Sequence, residues 1–305
     1  MCSLVRILSG LINTYHIANM PESKQGPRPP RPPTGTKKHR GFLAAWVDEQ
    51  QERRRYLFAK DELNVLPVGD SSRYGALKRL EATGRIVPVG SRRGLWAIIP
   101  PEYRKQGAPP LTWILDDIMR AAGLPYYIGL RSAAEVYGAT HYPIQTLQVV
   151  TARRFRPFIL GRQAARFIAK STVSDTPVRV RQGPVTNLKY STPEATALDL
   201  VRYANLSGGM NNVMTALEQM QQECHPAGMR QALDAAQDVA NAQRLGYLWN
   251  TITHEVLAQV VERWLATRHV RAVPLEAGAE GRDRAALTAD HRWKLVLEHP
   301  PTISL

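Results

Sequence analysis

Cysteine is nearly missing from this chain: Cys2 and Cys224 are the only two in 305 residues. Two isolated thiols make neither a disulfide framework nor a zinc site, and they fit a reducing cytoplasm. No apolar run approaches the roughly 20 residues that a bilayer span needs. A phosphate loop is missing too, since Gly208-Gly209 has no GxxxxGK[ST] around it and reads as a turn. The acid–lysine spacing of a metal-dependent nuclease is not met. In Asp290-His291-Arg292-Trp293-Lys294 the acid and the lysine stand four apart rather than two. His141, His225, His254, His269, His291 and His299 are scattered singly, as surface or core histidines are more often than ligands. Glu194 and Asp199 stand five apart on one expected helix, so they face apart and form no carboxylate pair. These gaps point away from an enzyme and away from a bound cofactor or metal.

Acidic charge is also scarce. The chain holds 40 Lys and Arg against 26 Asp and Glu, a net charge of +14. The imbalance is uneven: up to Lys105 there are 19 basic against 9 acidic residues, and from Gln106 onward 21 against 17. Positive charge gathered in the first third is the electrostatic footprint of a phosphate binder.

What is present in that third is a pattern. Residues 1–40 read as a disordered extension rich in proline and arginine. Gly26-Pro27-Arg28-Pro29-Pro30-Arg31-Pro32-Pro33 lacks the N–H donors of a helix or strand and is expected to be an extended arm. Such an arm lies along a DNA backbone or stays solvated. Met20 reads as the natural initiator, with residues 1–19 an artefact of start-codon assignment; the weak apolar stretch Met1–Ala18 lacks a convincing cleavage site for a signal peptide.

Residues 41–100 then read as a winged helix-turn-helix. Leu43, Trp46 and Val47 share one face of a helix over His39–Arg55. Tyr56-Leu57-Phe58 is a short apolar run, followed by a short helix over Ala59–Leu66 with Leu63, Val65 and Leu66 available for a core. Asp70 or Ser71 is expected to cap a second helix that runs through Thr83 and stops at Gly84. Arg85–Val89, the basic turn Gly90–Gly94 and Leu95–Ile99 read as strand, turn, strand. On the second helix Ser71, Ser72, Arg73, Tyr74, Lys78 and Arg79 are placed for a major groove, and Arg92 and Arg93 for phosphate. Arg73 or the two serines stand nearest the base edges. A hairpin of this kind also serves as a plain protein-interaction module.

After Pro100-Pro101 a larger mixed α+β domain is expected over 101–305, with strands first and helices later. Thr112–Ala122 reads as a helix, and Tyr126–Leu130 as a strand or tight entry into a helix over Ser132–Tyr137. Gln145–Thr151, Arg166–Ala169 and a half-buried Pro177–Arg181 read as strands. Ser191-Thr192-Pro193-Glu194 is a strong helix start. Further helices are expected near Met210–Cys224, Met229–Asn241 and Asn250–Arg268, with a last strand over Trp293–Leu297. Arg153, Arg154, Arg156, Arg162, Arg166, Arg179 and Arg181, with Lys170, would make one positive face for RNA or DNA if their strands pair, or a solvated rim of the sheet.

Four segments carry a resemblance. Pro100-Pro101-Glu102-Tyr103-Arg104, Pro125-Tyr126-Tyr127-Ile128-Gly129-Leu130, Ser191-Thr192-Pro193-Glu194-Ala195-Thr196-Ala197-Leu198-Asp199-Leu200 and Gln243-Arg244-Leu245-Gly246-Tyr247-Leu248, in this order after a wing, resemble the AbiEi antitoxins. The resemblance spans roughly residues 41–300 and departs at the proline-rich arm. It implies a cytoplasmic repressor that binds double-stranded DNA at inverted repeats in its own promoter, through Ser71–Arg79 and Ser91–Arg93. It also implies a C-terminal domain that counters a nucleotidyltransferase-like toxin in a type IV arrangement, where direct binding of the toxin is not required. A nuclease targeted by a winged helix and a protein-interaction module are the alternative readings.

Overall fold

The computed structural model describes residues 41–90, 94–139, 146–276, 288–298 and 301–302. The proline-rich extension with Met20, the turn residues Ser91, Arg92 and Arg93, and His141 and His299 lie outside them. The chain divides into two compact units, one running to Gly123 and taking in Leu160–Arg162, the other comprising the rest.

The first unit begins with α1 (Phe42–Glu52), whose Leu43, Val47 and Gln50 are buried. Its amphipathic spacing drives the packing, and the chain leaves it through Arg54 in the left-handed region (φ 56°). Then come β1 (Leu57–Ala59), a 3-10 turn over Lys60–Val65, α2 (Asp70–Ala82), β2 (Ile86–Pro88) and β3 (Leu95–Ile98). The strands form an antiparallel sheet in the order β1-β3-β2, with Phe58 and Pro88 both opposite Trp96. Pro88 is tolerated because β2 is an edge strand. Gly84 (φ 64°) turns the chain from α2 into β2. Val65, expected in the core, is 78% exposed, and Leu63 alone in that turn is buried. A second 3-10 turn (Pro101–Gln106) leads to α3 (Leu111–Ala121). The Trp113 ring sits 4.8 Å from Tyr56 and 5.1 Å from Tyr103, so Pro100-Pro101 falls inside this unit.

The second unit holds β4 (Tyr126–Ile128), α4 (Leu130–Ala134), β5 (Thr146–Thr151), β6 (Phe158–Leu160, whose last residue groups with the first unit), β7 (Gln163–Ala169), β8 (Val178–Gln182) and β9 (Asn187–Ser191). They make a mixed six-stranded sheet in the order β6-β7-β5-β4-β9-β8. Helices α5 (Pro193–Arg202), α6 (Met210–Met220), α7 (Pro226–Ala236), α8 (Val239–Thr251) and α9 (Glu255–Leu265) follow. A three-stranded sheet in the order β10-β12-β11 comes last, from β10 (Val273–Pro274), β11 (Thr288–Asp290) and β12 (Leu295–Leu297). The architecture is mixed α+β.

Local chemistry explains the strongest element. Thr192 accepts from the Ala195 amide, and Pro193 fits the first helical position. Glu194 is buried and serves another helix, accepting from the His225 amide at the start of α7 (2.9 Å).

Three expectations are corrected. Gly69 occupies the cap position of α2, and no side chain caps it. The stretches expected as helices over Met229–Asn241 and Asn250–Arg268 are instead three helices, α7, α8 and α9. The half-buried strand over Pro177–Arg181 is exposed along all of β8, because β8 closes one edge of the sheet.

Candidate nucleic-acid interface

The buried side of α2 carries Ala76, Leu77 and Leu80, three and four residues apart. That fixes its solvent side. Ser71, Ser72, Tyr74, Lys78, Arg79 and Ala82 are exposed and Gly75 is half-buried among them. Ser71, Tyr74, Gly75, Lys78 and Ala82 follow the helical repeat and form one stripe. Tyr74 is 58% exposed in the middle of the helix, and the Lys78 ammonium lies 6.0 Å from its ring centroid. Lys78 also reaches Glu81 (3.0 Å), and the hydrogen bond to that carboxylate is the main cause that raises the ammonium's pKa. Gly75 was missed from the sequence. The 71-74-75-78 spacing would have found it, as a position where a partner can approach the helix backbone closely.

Arg73 departs from expectation. Its guanidinium turns inward, donating to the Leu63 carbonyl (3.0 Å), to Asn64 Oδ1 (2.8 Å) and to Asp70 Oδ1 (2.7 Å). Its side chain is only 16% exposed, whereas Asp70 is 94% exposed. Arg73 therefore ties the start of α2 to the turn before it, and Asp70, as the first residue of the helix rather than its cap, pairs with this guanidinium. Other basic groups near the helix are also engaged: Arg85 with Asp48, Arg55 with Glu62, and Arg53 with Glu49.

The second arginine set does not form one cluster. Arg162 sits in the turn between β6 and β7, and Arg166 lies on β7. Arg179 and Arg181 lie on β8, four strands away in the order of the sheet, about 19 Å at ordinary strand spacing. Arg153, Arg154 and Arg156 follow β5. Pairing order, which no local pattern encodes, splits the group.

Lys170 leaves it altogether. Its ammonium is buried, donating to Asp199 Oδ1 (2.7 Å) and to the Tyr127 hydroxyl oxygen (3.0 Å). Tyr127 donates to Asp199 Oδ2 (2.6 Å). Burial and the neighbouring carboxylate drive the phenol's pKa far upward, so it stays protonated and keeps donating. The three side chains join β4, the end of β7 and α5 across the core, and the arrangement is a buried lock with every charge partnered.

Residues 127–251 match the family model of the AbiEi antitoxin C-terminal domain. The span contains the whole Tyr127–Lys170–Asp199 lock. Among solved structures, the crystal structure of the RV2827C protein from Mycobacterium tuberculosis is similar, with a TM-score of 0.59 and 17% identity over 84% of this chain and 91% of that one. At that identity the likeness is one of fold. No curated protein matches.

Proposed function

We propose that this AbiEi-type antitoxin binds double-stranded DNA through a winged helix at residues 41–100 and represses its own promoter. One observation carries the reading: α2 exposes a stripe of serine, tyrosine, glycine and basic side chains that no packing requires. A helix of this kind beside a two-stranded hairpin suits a major groove and the adjacent phosphates. In this reading Ser71, Tyr74 and Gly75 face base edges, and Lys78, Arg79 and the wing's Arg92 and Arg93 face phosphate. Arg73 positions the helix rather than touching DNA. Residues 1–40 supply a basic arm along the backbone. The domain after residue 100 counters a nucleotidyltransferase-like toxin without the two proteins having to bind.

The test is a gel shift of the full chain on DNA from upstream of its own gene, across a salt series, against scrambled DNA. The expected result is sequence-preferring binding that weakens steeply with salt, by about one unit of log–log slope per phosphate contact. Equal binding to scrambled DNA would overturn the repressor reading. Rescue of growth on co-expression with the neighbouring toxin gene tests the antitoxin half separately.

A further inference from the structure

We propose that β8 is a docking edge for an extended acidic segment of a protein partner, added to the six-stranded sheet as a seventh strand. Three observations converge on it, none of which depends on the DNA-binding reading.

Topology comes first. β8 pairs with β9 on one side, and among the described residues no strand lies on its other side. A terminal strand presents a row of unpaired N–H and C=O groups, which is a template for another chain. Its five residues, about 17 Å long, suffice for a five-residue partner strand.

The side chains then select the occupant. Val178, Arg179, Val180, Arg181 and Gln182 are all exposed. Val178 is 40% and Val180 62% exposed. Strand alternation puts the two valines on one side of the sheet and the two arginines on the other. A strand that only guarded its edge would need charge, but not a row of bare β-branched residues. An added strand covers that row with its own apolar side chains and offers acids across from the arginines.

The charges are available for this. Among the described residues, neither Arg179 nor Arg181 makes an ion pair with a carboxylate; the Arg179 guanidinium carbon lies 6.0 Å from the Tyr137 ring centroid. A second copy of this chain pairing through β8 would bring arginines against arginines, and like charges opposite one another oppose pairing. A nucleic acid would use the arginines but neither the backbone row nor the valines. The chemistry that uses all three is an extended segment alternating acidic and apolar residues.

The experiment uses the full chain and a fluorescent peptide of alternating glutamate and valine, five residues plus a linker. A lysine-for-glutamate peptide and a single-stranded RNA oligonucleotide serve as controls. The acidic peptide is expected to bind saturably by anisotropy and to slow amide exchange at residues 178–182. Arg179→Glu with Arg181→Glu should weaken binding by about tenfold or more, while circular dichroism stays unchanged because both side chains are exposed. A second variant, Arg179→Lys with Arg181→Lys, keeps the charge and should keep most of the affinity. Absent binding, equal binding of the lysine peptide, exchange protection elsewhere, displacement by the oligonucleotide, or concentration-dependent self-protection of β8 would each overturn the proposal.

Discussion

Gly246 lies on α8 against the ring of Trp293, and a Cβ placed there would overlap the indole carbons. Neither side can move away cheaply: Trp293 is 1% exposed, and Leu245, Leu248 and Trp249 beside the glycine are fully buried. Gly246→Ala should therefore destabilise the second unit despite its better helix propensity, by about 1–3 kcal/mol as overpacked cores do. A urea midpoint that rises, as propensity alone would have it, would show that the tryptophan yields. The tyrosines make a second test at this scale. Burial raises the phenol pKa of Tyr127 far above its ordinary value and that of Tyr137 to about 12. In the unfolded chain both ionise near pH 10. A raised folded pKa contributes stability in full below the unfolded value and loses it as pH climbs. Stability should fall from about pH 10 upward, with the Tyr137 share lost by about pH 12. Tyr137→Phe should flatten the denaturation midpoint between those values. An unchanged slope would mean that Tyr137 ionises as freely folded as unfolded.

At the scale of elements, α2 separates positioning from contact. Arg73→Ala removes three hydrogen bonds to the preceding turn and helix start. It should lower melting of the first unit by about 1–2 kcal/mol, and weaken DNA binding equally for all sequences. Lys78→Ala touches no core and should leave melting unchanged while lowering the salt slope by about one. If Arg73→Ala instead alters base preference at unchanged stability, the guanidinium reads bases after all. The elements also show what a sequence can reveal. The α5 start was legible because Thr192, Pro193 and the Ala195 amide are neighbours in the chain. The hairpin strands and Gly84 were legible for the same reason. Helix α8 was not, because Asn241 through Trp249 are buried without a break, which leaves no apolar–polar period to read. Alternation in β8 suggested half-burial, but edge position depends on which strands pair. Two of Arg73's partners lie nine and ten residues away in a turn whose path the sequence does not specify.

For the whole molecule, two compact units make the footprint of the proposed DNA binding a local question. A ligand that binds only the folded state stabilises it by about 2.7 kcal/mol at a hundredfold excess over Kd. Operator DNA should slow amide exchange in α1, α2 and β1–β3 and leave the α5–α9 core unchanged. Even protection across both units would show that the second unit shares the footprint. The final sheet bears on something else, the order in which the chain is made. Gln243 of α8 donates to the carbonyls of Arg271 (2.9 Å) and Trp293 (2.8 Å), and Arg244 to that of Pro274 (3.0 Å). Helix α8 thus finds part of its polar partners, and the ring packed against Gly246, in β10, β12 and the residues around them. During synthesis α8 is made before Arg271, Pro274 and Trp293 are added. The unit must wait, with this helix uncovered, until those residues are in place, and a chain that stopped before them would leave α8 open to proteases and chaperones rather than form a shorter folded unit.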